Sequence, residues 1–164
     1  MAQPSRPADP GLRSPFHIRA AQAVDETSFV EMSNALLAEA NEPHEPGAVA
    51  SAWRRSLDPA SSLQCLVAVD EGGTPVGFML YVTHDFSWTT RPVCYFLDLY
   101  VRPTARRHGI GRAFLAHLTE TGRREGWSRI YWMTQEDNAK ARQLYDQFGH
   151  RSPLIRYETV FPLG

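Results

Sequence analysis

The 164-residue chain is 43% hydrophobic and 21% charged, with a formal net charge of -1, so we expect one globular domain with a sizeable core. The near-zero charge argues against a general nucleic-acid-binding protein. No apolar run approaches the ~20 residues that span a bilayer, and the N-terminus lacks the apolar segment of a signal peptide. We therefore expect a cytoplasmic protein without a membrane partner.

The chain opens with a segment that has no hydrophobic periodicity. Residues 1–14 contain three prolines, and we expect a flexible tail there, followed by a single domain over residues 15–164. The alternation of apolar and polar residues in Phe16–Arg19 predicts a first strand.

Two helices are predicted before the second strand. Asp25 is suited to cap the first, and its apolar face ends near Asn41, ahead of Pro43. That face consists of Phe29, Met32, Leu36, Leu37 and Ala40. The second helix follows the proline-containing loop 41–47 and places Ala50, Trp53 and Leu57 inward.

A hairpin is predicted in the middle of the chain. Leu63–Val69 and Pro75–Thr83 are rich in strand-forming residues, and the glycine pair between them favours a tight turn. A loop over residues 84–92 leads to the next strand at Val93. Cys65 and Cys94 lie in apolar runs, which favours buried free thiols in a reducing compartment over a disulfide.

The most informative stretch is a buried strand, a basic turn and an amphipathic helix, over residues 95–118. Four arginines and no acid occur between Val101 and Leu118. A glycine-containing turn at a helix start leaves backbone N–H groups unpaired, and these attract an anion such as a phosphate. The alternative is a plain helix start with a solvated arginine face.

Three elements are predicted after this helix, which Gly122 or Gly126 ends. Ser128–Thr134 is rich in strand formers. Asp137 or Asn138 caps a last helix that buries Ala141, Leu144, Tyr145 and Phe148 and stops at Gly149. Pro153–Phe161 is predicted as a final strand.

Two motifs point to one family. Arg106–Gly111 has the form Arg-x-x-Gly-x-Gly, and Asn138-x-x-Ala141-x-x-Leu144-Tyr145 follows about thirty residues later. Together they resemble the Gcn5-related N-acetyltransferase (GNAT) family, nearest its diamine and histone-type branch. A dinucleotide fingerprint would need a small residue where Phe114 stands, and no Gly-Lys-Ser/Thr ending of a P-loop occurs.

The resemblance covers residues 18–161 and implies a mixed α/β fold. The expected architecture is a mostly antiparallel sheet of six or seven strands with four flanking helices. Two central strands, around Leu99 and Tyr131, run parallel and splay apart in this fold. The implied reaction is direct attack by a primary amine, of a small molecule or a protein, on the thioester of acetyl-CoA.

The resemblance also implies the residues that bind acetyl-CoA. They are the strand residues Leu99, Tyr100 and Val101, the turn residues Arg106, Arg107, His108, Gly109, Ile110, Gly111 and Arg112, and the helix residues Asn138, Ala141 and Tyr145. Tyr145 would protonate the departing thiolate, or else simply pack in the core. Asn138 would contact the cofactor, or else only cap its helix.

Asp98 is the candidate for acting on the acceptor. Polyamine-acetylating members carry Leu-Glu-Asp where this chain has Phe96-Leu97-Asp98, so the glutamate is missing and a diamine acceptor is disfavoured. Asp98 serves as the base, as a ligand for a cationic substrate, or as a structural carboxylate. Side chains alternate between the two faces along a strand, so Asp98 faces away from Tyr95 unless both lie around a bulge.

Two loops supply further substrate candidates, each of which has a surface-loop role as its alternative. The first loop contains Glu42, His44 and Glu45, and the second contains His84, Asp85, Phe86 and Trp88. No metal-ligand spacing is present. The short C-terminal part predicts a homodimer in which a partner completes the sheet. The rival function is a CoA-binding regulatory module without turnover.

Overall fold

The computed structural model describes residues 15–41 and 43–161; the predicted tail and Glu42 lie outside them. In this part, five strands form one sheet in chain order. They are β1 (Phe16–Ala20), β2 (Leu63–Asp70), β3 (Pro75–His84), β4 (Val93–Val101) and β5 (Arg129–Tyr131). The first four pair antiparallel, and β4 pairs parallel with β5. The mixed, mostly antiparallel sheet is confirmed, but the six or seven strands predicted are five here.

Four α-helices cover the sheet, as predicted. They are α1 (Glu26–Ala40), α2 (Ala48–Leu57), α3 (Ile110–Glu125) and α4 (Ala139–Tyr145). Phe29, Met32 and Trp53 join one core, which packs α1 and α2 on one face of the sheet. Ile110, Phe114 and Leu118 join the core on the other face, where α3 and α4 lie. None of the described helices is long and apolar enough to cross a membrane.

Some side chains differ from their predicted orientation. Ala50 was expected to face inward but is exposed, and Val49 and Ala52 contact the core instead. The cysteines are buried free thiols, as predicted. Cys65 belongs to the α1/α2 core and Cys94 to the α3/α4 core, so the sheet separates them.

A bulge interrupts β4 at Leu97. Tyr81 of β3 pairs with Phe96, whereas its neighbour Leu80 pairs with Asp98, so Leu97 is an extra residue. Directly paired residues share a face of the sheet, and Leu80 belongs to the α1/α2 core. Asp98 therefore lies on the α1/α2 face, together with Tyr95, which pairs with Val82. Without the bulge, these two side chains would point to opposite faces.

The C-terminal prediction is wrong for the described residues. Residues 153–161 form no strand, and their large apolar side chains are exposed, namely Leu154, Ile155, Tyr157, Val160 and Phe161. The strand predicted over Ser128–Thr134 is only Arg129–Tyr131 and lies at the sheet edge, not at its centre. A strand-forming pattern needs a neighbouring strand to pair with, and none lies beyond β5 in the described residues.

Asp25 precedes α1, but its carboxylate does not cap that helix. Both oxygens accept hydrogen bonds from Arg19, at 2.6 and 2.9 Å, and one also accepts the backbone N–H of Gln22 at 2.8 Å. The Asp25 side chain is only 2% exposed. The bonds from Arg19 hold the pKa of Asp25 below its ordinary value. This pair ties the start of α1 to β1.

We expect Asp25→Asn to lower the free energy of unfolding by ~2–4 kcal/mol, because it leaves Arg19 without its charge partner. Since the pKa of Asp25 is lowered on folding, its contribution is complete above pH ~4 and is lost as the pH falls through the lowered pKa. Urea unfolding at neutral and acid pH measures both effects. The exposed Asp58→Asn is the control, and an equal loss in both variants would contradict the assignment.

Candidate active site

A gap opens where β4 and β5 part. Val93, Cys94 and Tyr95 pair with Arg129, Ile130 and Tyr131, and the pairing stops there. β4 continues to Val101, and within the described residues no strand pairs with its β5 side over this second half. Its backbone polar groups are thus available to a peptide-like ligand that adds to the strand.

The basic turn forms one end of this gap. Gly109 is the residue before α3 and has a φ of 80°, and Arg107 has a φ of 70°. Both lie in the left-handed region, which is unusual for a non-glycine residue such as Arg107. A Cβ built on Gly109 meets no atom within 4 Å, so the approach to these amides is open. The turn and the acid-free first turn of α3 suit a phosphate group.

The arginines of this turn have different environments. Arg106 donates to the backbone oxygen of Val101 at 2.9 Å, pairs with Glu39 at 2.8 Å and lies over the ring of Tyr100. The Arg106 side chain thereby ties the turn to α1. Arg107 makes no ion pair with another described residue and is exposed, so its side chain is available to an anion.

The end of α4 packs against the start of α3. A Cβ on Gly111 would lie 3.2 Å from a methyl group of Leu144 and 3.7 Å from one of Leu99. Gly111 thus permits close contact between two helices and β4.

The side chain of Asn138 accepts the N–H of Ala141 at 3.2 Å, so it caps α4, one of the two roles predicted. Ala141 itself is half-buried.

Tyr145 closes the α3/α4 side of the gap. Its ring meets those of Trp132 and Phe96 edge-on, with centroids 5.5 and 6.2 Å away. Burial raises the pKa of Tyr145, so the phenol keeps its proton throughout the neutral range. The predicted packing role and a role as proton donor are both compatible with this position.

The α1/α2 side of the gap contains Asp98 and an aromatic group. Tyr95 and Tyr131 stack with centroids 4.9 Å apart and planes 15° apart. The Nδ1 atom of His84 lies 2.7 Å from the backbone oxygen of Asp85, to which only an N–H can donate. In the neutral ring, Nε2 then accepts the hydroxyl of Tyr131 at 2.9 Å. Burial raises the pKa of Asp98, which is half-buried.

The second candidate loop reaches the start of β5 through Phe86. Phe86 meets Trp88 edge-on at 5.6 Å, and the guanidinium of Arg129 lies 4.8 Å from the centre of the Phe86 ring. Phe86 and Trp88 are thus brought together beside β5. In the first loop, His44 and Glu45 are exposed, and His44 lines a shallow groove along α1.

Two residues of this site escaped sequence reasoning. Arg129 and Tyr131 are separated by one residue, Ile130, so in a strand their side chains lie on the same face. The identity of that face depends on the pairing of Tyr131 with Tyr95, which connects segments far apart in the chain. Among the described residues, no group of three or more His, Cys, Asp or Glu side chains comes together as a metal site.

Comparisons with known sequences agree with this geometry. The family model described as "Acetyltransferase (GNAT) family" matches residues 29–150. The D-amino-acid N-acetyltransferase HPA3 of Saccharomyces cerevisiae is 31% identical over 114 residues, which are 69% of this chain and 71% of that protein. A thialysine N-epsilon-acetyltransferase of Sus scrofa is 33% identical over 81 residues, 49% of this chain and 47% of that protein.

Solved structures share the fold. A ribosomal-protein-alanine N-acetyltransferase from Brucella melitensis biovar Abortus 2308 superposes with a TM-score of 0.75 at 19% identity, over 89% of this chain and 99% of that one. An aminoglycoside acetyltransferase, meta-AAC0020, from an uncultured soil metagenomic sample has a TM-score of 0.73 at 15% identity, over 90% and 97%. At these identities, the likeness concerns architecture.

Proposed function

The chain belongs to the GNAT family of acetyltransferases, and we propose that it transfers the acetyl group of acetyl-CoA to the primary amine of a small molecule or peptide. One observation carries the proposal. The gap between β4 and β5 has the anion-binding turn at one end, Tyr145 on one side and Asp98 on the other. This arrangement provides a channel for a phosphate-bearing donor and separate sites for giving and taking a proton.

The residues present fit acetyl-CoA, which supplies an acetyl group activated as a thioester. Leu99 and the N–H of Val101 belong to the stretch of β4 that has no strand on its β5 side among the described residues, which suits a peptide-like arm, whereas the Val101 carbonyl is engaged by Arg106. The amides of residues 107–112, at the turn and the start of α3, and the exposed side chain of Arg107 would hold the pyrophosphate. A backbone N–H near Leu99 or Tyr100 would hold the developing oxyanion.

Asp98 and Tyr145 have complementary proton chemistry. The raised pKa of Asp98 makes it a stronger base than an ordinary carboxylate, suited to bind the ammonium of the acceptor or to take its proton, which leaves the free amine to attack the thioester. Tyr145 stays protonated and is suited to donate to the leaving thiolate. Asp98 and Tyr145 lie on opposite faces of the sheet, so the base would act on the amine and the acid on the leaving thiolate.

The acceptor we propose is an amine with an amino-acid-like body. The yeast relative is named for D-amino acids and the porcine one for thialysine. Leu97 stands at the position where polyamine-acetylating members carry glutamate, and as the bulged residue it is exposed. β4 thus contributes one carboxylate, that of Asp98, where a diamine would need more negative charge.

We also propose that the protein works in a reducing compartment, the cytoplasm. Cys65 and Cys94 are free thiols in different cores on opposite faces of the sheet. Free buried thiols are typical of such compartments.

Acetyl transfer is tested by CoA-thiol release over a panel of amino acids, polyamines, aminoglycosides and histone-like peptides. We expect Tyr145→Phe to lower kcat by about 100-fold while acetyl-CoA still binds, because phenylalanine keeps the ring but lacks the hydroxyl that would donate the proton. Calorimetry measures that binding, and Tyr81→Phe, a buried tyrosine outside the gap, is the control. Unchanged kcat would exclude Tyr145 as the acid, and no thiol release with any acceptor would favour the regulatory module.

The anion-binding turn is tested by comparing alanine substitutions at two glycines that have the same backbone conformation. Gly109 and Gly47 each precede a helix with φ of 80° and 81°, and a Cβ on either meets no atom within 4 Å. We expect alanine at either to cost ~1–2 kcal/mol of unfolding free energy through left-handed strain. Only Gly109→Ala should weaken acetyl-CoA binding, by about 10-fold, because its backbone contacts the phosphates. Equal affinity of both variants in calorimetry would place the pyrophosphate elsewhere.

We propose a homodimer in which a second copy covers β5 and the segment over residues 153–161. Leu154, Ile155 and Tyr157 are 82%, 73% and 87% exposed, and β5 has a free edge among the described residues. Light scattering at micromolar concentration should give twice the chain mass, and Ile155→Glu should shift it toward the monomer. A strict monomer for the unaltered chain would contradict this assembly.

A further inference from the structure

We propose that Arg129 binds the carboxylate of the acceptor, and that the acceptor is an ω-amino acid of about the length of lysine, with its amine toward Asp98. The inference rests on the proposed acetyl transfer and names the substrate class of that same site. It assigns to Arg129 the role of a specificity-determining residue.

The first observation is an exposed cation that lies against an aromatic ring. The Arg129 guanidinium lies 4.8 Å from the centre of the Phe86 ring and has no carboxylate partner among the described residues. Arg54, Arg55, Arg91, Arg107, Arg112 and Arg142 likewise make no ion pair among the described residues, so what distinguishes Arg129 is its place on the same face of the sheet as Asp98. Stacking on a ring leaves the N–H groups at the edge of the guanidinium free to bind a carboxylate in two places.

The second observation is an unpaired carboxylate at the other end of the same face. Asp98 makes no ion pair with a described residue and is half-buried. It lies past the point where β4 and β5 part, at the gap where the acetyl group would arrive. Arg129 lies at the start of β5, where the strands are still paired. This face of the sheet therefore has a carboxylate at the gap, the reacting end, and a guanidinium where the strands are still paired, the closed end.

The surface between the two charges suits an aliphatic chain. Tyr95 and Tyr131 stack there, and the hydroxyl of Tyr131 is engaged by His84. Arg129 pairs with Val93, five residues before Asp98 in the sequence, so at ~3.3 Å per residue the backbone positions are ~13–16 Å apart. The arginine side chain covers part of that distance. The distance that remains between the guanidinium and Asp98 is too long for an α-amino acid that reacts at its α-amine. It suits an acceptor whose amine lies several carbons from its carboxylate.

The charge pattern separates this acceptor from a diamine. A second ammonium at the closed end would meet the guanidinium of Arg129, which repels it. The bulged residue that precedes Asp98 is Leu97, so no second carboxylate is added at the reacting end. A zwitterion whose charges are well separated complements both ends at once.

The kinetic test compares acceptors that differ only in the carboxylate. With thiol release as the readout, we expect kcat/KM for 6-aminohexanoate to exceed that for hexylamine by about 10- to 100-fold. Arg129→Gln should remove this preference by lowering the value for 6-aminohexanoate alone, and Arg129→Lys should keep part of it. Arg54→Gln, which removes an exposed charge on α2, is the control and should change neither value.

A binding measurement without acetyl-CoA separates failure of this inference from failure of the proposed function. Calorimetry with 6-aminohexanoate should show binding to the unaltered protein, weakened about 10-fold or more in Arg129→Gln. Binding lost in Arg129→Gln without thiol release from any amine would support the carboxylate site and overturn acetyl transfer. No preference for 6-aminohexanoate in the unaltered protein, or an equal loss for both acceptors in Arg129→Gln, would overturn the role of Arg129.

Discussion

The site depends on the short pairing between β4 and β5. Three residue pairs hold the parallel strands together, and then β4 continues alone to Val101. A strand that loses its neighbour exposes backbone groups, which are costly to leave unpaired in a buried place. A peptide-like ligand inserted at the gap satisfies these groups. The same parting brings the basic turn, which follows β4 directly, to the mouth of the gap.

The bulge at Leu97 gives the gap two chemically different sides. Because one extra residue reverses the alternation of β4, Phe96 faces Tyr145 on the α3/α4 side, whereas Asp98 and Tyr95 face the α1/α2 side. Tyr145 and Asp98, the proposed proton donor and acceptor, thus lie on opposite faces of the sheet. The aromatic and charged residues that share this side with Asp98 come from three separate segments: β4, β5 and the loop after β3.

Prediction succeeded where local chemistry decides the outcome and failed where a distant partner does. The glycine-containing turn and the cap of Asn138 are local, and both were read from residue spacing. Asp25 was expected to cap a helix, but its carboxylate binds Arg19 of β1 instead. Residues 153–161 have a strand-forming composition but no neighbouring strand to pair with, so they stay extended and exposed in the single chain.

The sequence by itself determined the family, the order of helices and strands up to α4, and the glycine-containing turn before α3, because periodicity and helix-start chemistry depend on neighbouring residues. Tertiary structure alone decided which side chains share the acceptor side. The Leu97 bulge and the register of β5 place Asp98, Tyr131 and Arg129 on one face, although these residues belong to segments that lie apart in the sequence. A shift by one residue in either strand would turn these side chains to the opposite face, so only the observed pairing determines the site.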